Sequence, residues 1–317
     1  MMPARGFSLV ELLIAMLLGL LLLGFTIQIF TSLSVSSRQS QQLAQLQQSG
    51  QLALNLIHNE LQNSGFWGGV GLSDIAGAAV DIASPAPDCA EDGLDSGSFP
   101  VNGEKFASLY AKVAVAGRQL NCLTSLVPDS EILQLKRAIG LAVTREELRS
   151  NRFYIAPHWQ QSRIVHQDSA GLAAENLFYP YQHLVFYIQY QRLDDQTVPV
   201  LMRKRLVRST SGMARIATDS VIDGVERLHF EFGIDTNLDG RLNYTLPTSL
   251  MTSAHWQQQQ GHIVSIRFYI LLRSLMPDPG YVNQQTYQMG VQRFDAPGDH
   301  YRRLLLAGSV YFNNATF

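Results

Sequence analysis

Residues 1–30 read MMPARGFSLVELLIAMLLGLLLLGFTIQIF, and between Phe7 and Phe30 the only charged side chain is Glu11. At about 1.5 Å per helical residue this span reaches about 36 Å, enough to cross a hydrocarbon core of about 30 Å. Arg5 and the terminal amine precede the apolar run, so the short end stays cytoplasmic and the bulk of the chain lies outside. A cleaved secretory signal has an apolar region of about 7–15 residues followed by a small-residue cleavage site. The run here is longer, although TSLSVSS at 31–37 imitates such a site. A plain membrane anchor explains the length and leaves Glu11 without a reason. A carboxylate inside a bilayer costs at least about 2.5 kcal/mol, so a membrane-buried charge points to function.

A third reading accounts for Glu11. The segment Arg5-Gly6-Phe7-Ser8-Leu9-Val10-Glu11 resembles the processing site of type IV prepilins. The resemblance implies that residues 1–6 are a leader and that prepilin peptidase cuts between Gly6 and Phe7. It also implies that Phe7 is then N-methylated and that Glu11 becomes the fifth mature residue. A cut placed before the apolar run leaves residues 7–30 as a membrane helix and later as an assembly rod. Once cut, Phe7 carries a free ammonium, and Glu11 pairs with the ammonium of a neighbouring subunit. Pairing is what makes a charge tolerable in an apolar medium.

From residue 31 to 64 the chain turns polar but keeps a helical pattern. Gln39, Gln41, Gln42, Gln45, Gln47, Gln48 and Gln51 alternate with Leu43, Leu46, Leu54, Ile57 and Leu61. The apolar positions recur at three- and four-residue steps, which places them on one stripe facing a sheet. Gly50 weakens the middle of this helix and Gly65 ends it. The stretch HNELQNSGFWGG at 58–69 resembles the helix–head junction of minor pilins of the PilW type.

The 317 residues carry a net charge of -2, which gives no global basic footprint for nucleic acid. Residues 65–103 are rich in Gly, Ala, Asp, Ser and Pro and read as loop. Cys89 lies in this loop. In an oxidising periplasm it pairs with Cys122, closing about 34 residues for roughly 3–4 kcal/mol in the chain-entropy model.

Beyond residue 104 the apolar period becomes two. Leu133 and Leu135 alternate with Gln134 and Lys136, and Leu184, Phe186, Ile188 and Tyr190 share a face. Leu228, Phe230 and Phe232 oppose Arg227, His229 and Glu231. Val264, Ile266, Phe268, Ile270 and Leu272 oppose Ser265, Arg267 and Arg273, and residues 303–312 make another candidate. Such alternation predicts antiparallel strands with one buried face. One long helix followed by these strands predicts an α+β head at 104–317, of the type IV pilin-like kind, with the helix covering the sheet. The segment from Ile222-Asp223-Gly224-Val225 to Asp239-Gly240, and VSIRFYILLRS at 264–274, also resemble the PilW family; residues 70–180 match nothing in it.

Asp235, Asn237 and Asp239 followed by Gly240 reproduce the first half of a calcium loop, with Arg241 and Asn243 at the seventh and ninth places. Leu246 stands where a bidentate Glu belongs, and the same residues suit a polar hairpin turn; both readings stay open. No Gly-x-Ser-x-Gly elbow or phosphate loop occurs, and the histidines have no metal-ligand spacing. His229 and Glu231 read as a solvated pair, and Arg203, Lys204, Arg205 and Arg208 as a solvated strand face. The resemblance implies a minor pilin, non-catalytic, anchored in the inner membrane with a periplasmic head and later in a pilus-tip complex. Its implied partners are other minor and major pilins, prepilin peptidase and the inner-membrane assembly machinery. Rivals are a type II secretion pseudopilin, a tip adhesin or DNA-uptake factor, and an anchored periplasmic enzyme.

Overall fold

The computed structural model describes residues 8–77, 80–158, 162–193 and 195–312. It falls into two compact units, Met1–Gln45 and Leu46–Phe317. Helix α1 runs from Leu9 to Gln62. In the first unit it is long and apolar enough to cross a membrane, and none of its most apolar stretch is buried in the protein. Leu9, Leu13, Leu17 and Phe25 all stand exposed, as expected of side chains whose solvent is lipid or another helix.

In the second unit the end of α1 buries Leu46, Gly50, Ala53, Ile57 and Leu61. These positions follow the three- and four-residue steps of the predicted stripe, with Leu43 left exposed and Leu54 half-buried. Fully buried side chains such as Ile57 and Leu61 each contribute about 1.5–3 kcal/mol relative to exposure. Gly50 has a packing reason: a Cβ there would lie 2.7 Å from Leu306 Cδ1 and 3.2 Å from Leu304 Cδ2. The missing side chain lets the helix backbone approach the sheet.

The strands are β1 (Leu109–Val113), β2 (Glu131–Ala138), β3 (Phe153–Ala156), β4 (Arg163–Val165), β5 (Tyr179–Leu193), β6 (Gln196–Arg208), β7 (Ala214–Asp223), β8 (Val225–Asp235), β9 (Tyr244–Pro247), β10 (His262–Arg273), β11 (Thr286–Met289), β12 (Gln292–Asp295) and β13 (Arg303–Tyr311). The larger sheet has the order β1-β2-β5-β3-β4, with β6 on β5 and β7 on β6. The second sheet is ordered β13-β10-β8-β9, and β11 and β12 form a separate hairpin. The ladders between these strands are antiparallel. One continuous core joins Leu46, Ile57 and Leu61 of α1 to Leu133 and Phe186 of the larger sheet and Phe230 and Phe268 of the second. This is the expected α+β arrangement, a long helix on an antiparallel head.

Two expectations need correction. Gln134 and Lys136 do not face solvent: β2 lies between β1 and β5 and is buried along its whole length. Likewise His229 and Glu231 are not a solvated pair, since β8 lies between β10 and β9 and both residues are buried. Alternation in an interior strand marks two kinds of buried face when loops or a strand of the other sheet cover the second face. Among the described residues of the glycine-rich stretch 65–103, a short helix α2 (Leu72–Ala76) stands within loop.

Candidate functional site

Gly6 and Phe7, the expected cleavage and methylation positions, lie outside the described residues. The next residues show how the helix begins. Ser8 Oγ accepts a hydrogen bond from Val10 N at 3.3 Å, and Ser8 N donates to Glu11 Oε2 at 2.9 Å. Ser8-Leu9-Val10-Glu11 is therefore a capping box, in which hydroxyl and carboxylate satisfy backbone donors left over at a helix start. Glu11 also stands at the positive end of the helix dipole, which favours its charge. The Ser-x-x-Glu spacing was the signal for this cap, and the reading of Glu11 as an intermolecular group alone overlooked it.

Phe66 packs edge-on against Tyr179 with centroids 5.6 Å apart. Trp67 is buried, stacked on Tyr181 at 6.2 Å and tilted against Phe106 at 6.1 Å. Gly68 adopts φ +75°, and a Cβ there would stand 2.5 Å from Tyr179 Cδ2, so only glycine fits. Six residues before Phe66, Glu60 of the last helical turns forms an ion pair with buried Arg137 of β2. Burial pushes the Arg137 guanidinium down, and Glu60 pushes it back up.

The two cysteines are joined: Cys89 and Cys122 form a disulfide with Cα atoms 4.9 Å apart. Around the bridge lies a sealed polar cluster. Lys136, fully buried, pairs with Asp95 and lies 4.2 Å above the Phe106 ring. Asp95 also accepts Ala107 N at 2.9 Å and Gln134 Nε2 at 2.7 Å. Asp88 accepts Ser98 N at 2.7 Å and Ser98 Oγ–H at 2.6 Å. With that hydroxyl donating to Asp88, His183 Nδ1–H donates to Ser98 Oγ across 2.9 Å. Burial holds His183 well below the usual imidazole range, with the Lys136 charge adding to the effect. Serine, histidine and aspartate meet here in an order unlike a nucleophilic triad, because the serine hydroxyl serves the aspartate directly. Ser98 and His183 are also closed to solvent, so no substrate reaches them.

A second cluster joins the two sheets. Glu131 of β2 accepts Phe230 N at 2.7 Å and Thr248 Oγ1–H at 2.6 Å, and His229 Nδ1 lies 2.7 Å from its other oxygen. Glu231 accepts Val291 N at 2.9 Å and Tyr269 OH at 3.3 Å. A third cluster centres on Arg303, which reaches Glu226 at 2.6 Å and Asp299 at 2.7 Å; burial pushes its guanidinium down, and the two carboxylates together raise it above its ordinary value. The expected basic strand face is paired: Arg203 and Arg205 both reach Asp219, and Arg208 reaches Asp168.

The calcium-like segment forms the turn between β8 and β9. Asp235 is buried and accepts Asn237 N, Leu238 N and Gly240 N at 2.7–3.1 Å. Asp239 accepts Arg241 N and Asn237 Nδ2–H, and Asn243 Oδ1 accepts Thr236 N. Among the described residues no group of three or more His, Cys, Asp or Glu is placed to hold a metal ion. These oxygens accept hydrogen bonds from donors within the turn, as the oxygens of polar hairpin residues do.

An unburied apolar helix, a capped start at Ser8–Glu11 and an antiparallel head together define the class: a type IV pilin-like protein. Residues 1–27 match the prokaryotic N-terminal methylation motif. Residues 185–314 match the family described as type IV pilus-assembly protein W, and the two matches together support a type IV pilin-like protein of the PilW type. The second match runs from within β5 past β13 and includes both IDGVERL and VSIRFYILLRS. No curated protein and no solved structure matches the chain.

Proposed function

We propose that this chain is a minor pilin, a non-catalytic subunit that acts by assembly. Residues 7–30 hold it in the inner membrane with the head in the periplasm until it joins other minor pilins. The resulting complex primes the filament and remains at its tip. Prepilin peptidase removes residues 1–6, Phe7 acquires a free and then methylated amine, and burial of the helix among neighbouring helices supplies cohesion. The observation that carries this reading is the start of α1, where a charged Glu11 is kept in an otherwise apolar and unburied span. A carboxylate in that medium persists only with partners. Ser8 N–H is one of them within the chain, and an ammonium from a neighbour is the stronger one. The length of 317 residues also suits a subunit used in few copies better than one repeated along a filament.

Replacing Glu11 with Ala in the native host tests the mechanism. Leader removal should continue, because the cut lies at Gly6, while surface piliation should fall to the level of a deletion strain. Normal piliation with Glu11→Ala would remove the carboxylate from the account. A deletion strain that keeps its pili but loses adhesion or DNA uptake would instead favour a tip-binding module.

A further inference from the structure

Lys136 is a fully buried charge that the assembly role does not use. Its ammonium lies within β2, covered on one side by the Phe106 ring and paired with Asp95. Burial pushes its pKa down, and Asp95 and then Asp88 push it up again. Both carboxylates belong to one short segment. Asp88 precedes Cys89 directly, and Asp95 lies six residues beyond it. No strand of either sheet passes through the described residues between α2 and β1. The segment is held by the polar contacts themselves, by Gln134 Nε2 donating to Cys89 O at 3.2 Å, by Phe99 and Phe106, and by the covalent bridge to Cys122.

We propose that the Cys89–Cys122 bridge is a redox-controlled lock on this buried charge, so that the larger sheet closes only in an oxidising compartment. The covalent step takes two thiols to one disulfide. A Cys thiolate attacks the disulfide of a protein thiol oxidoreductase, and the second Cys thiolate displaces that protein from the mixed disulfide. Two electrons and two protons pass to the oxidoreductase, which leaves as a dithiol. With the bridge closed, the loop is short of conformational freedom and Asp95 stays beneath β2. With the bridge open, the loop regains its freedom and Asp95 departs readily. The ammonium then has no counterion, and a fully buried unpaired charge is not tolerated. Strand β2 must open to water around it, which breaks the sheet between β1 and β5 rather than at its edge.

The test uses the full-length chain in detergent micelles. Lysines are acetylated with an amine-reactive reagent and read by mass spectrometry in the oxidised wild type, in dithiothreitol-reduced wild type with thiols counted, and in Cys89→Ala/Cys122→Ala. The lock requires Lys136 to label at least about tenfold faster without the bridge, which corresponds to local opening made easier by about 1.4 kcal/mol. Exposed Lys105 should keep its rate. Equal protection of Lys136 with and without the bridge overturns the proposal. Where the double variant unfolds as a whole, Lys136→Met and Asp95→Asn are added to it. The pair then carries no charge on either side, so recovery of at least half the lost melting temperature supports the lock. An undiminished loss overturns it.

Discussion

The ion pair between Glu60 and Arg137 fastens the end of α1 to the larger sheet, and its removal should be costly for a reason that can be sized. Glu60→Ala leaves the Arg137 guanidinium, whose side chain is 6% exposed, without its carboxylate. Breaking a buried pair from one side costs about 3–5 kcal/mol. Glu60 itself is 16% exposed, so water already screens the pair in part, and the figure falls to roughly 2–3 kcal/mol. For a unit of this size each kcal/mol moves the melting temperature by about 2 °C, which gives a drop of about 4–6 °C. Arg137→Met should cost less, because the stranded Glu60 can turn to water. The double variant should be more stable than Glu60→Ala alone, since it strands no charge. Thermal unfolding of the four proteins, followed by circular dichroism in micelles, reads the whole cycle. A drop below about 1 °C for Glu60→Ala, or a double variant no better than the single, would refute the reasoning.

Gly50→Ala should be close to neutral, because a gain of about 1 kcal/mol in helix propensity offsets the crowding of flexible Leu306 and Leu304 ends. Gly50→Leu should cost about 1–3 kcal/mol by forcing α1 from β13, again read by thermal unfolding. In acid, the Arg303 guanidinium holds the Asp299 carboxyl below its usual value. Its stabilising effect is therefore complete above the ordinary carboxylate range near pH 4 and is lost as pH falls through the lower folded value. Asp299→Asn should flatten the stability curve below about pH 4, and an unchanged slope would count against this pair. Because the Asp235 oxygens already accept backbone N–H groups, a calcium chelator should move the melting temperature by less than about 1 °C, within the noise of one weak surface contact.

The helix and the strands β2, β5, β8, β10 and β13 were legible because burial on one face leaves a period, whereas the ten residues of β7, only one of them buried, leave none. Leu46, Ile57 and Leu61 repeat at helical steps, and Leu228, Phe230 and Phe232 alternate. What could not be read is what covers the second face. Lys136 and His229 look like solvent-facing residues in their alternating strands. In the fold a disulfide-bound loop brings Asp95 to the first, and β2 brings Glu131 to the second. These partners lie 41 and 98 residues away in sequence, and neither periodicity nor composition encodes such distances. The strands β1, β3 and β4 are short, at 5, 4 and 3 residues, too brief for alternation to be distinguished from chance. At the start of α1, Glu11 was conspicuous because charge in an apolar run is costly, whereas the cap from Ser8 rests on a spacing that is easily passed over.

Mass spectrometry of the N-terminus of the mature protein, extracted from membranes, tests the central claim most directly. A pilin held ready for assembly predicts a polypeptide that begins at Phe7, carries one methyl group on its amine and retains the whole of α1. A chain that begins anywhere else, or has lost the apolar helix, would contradict it.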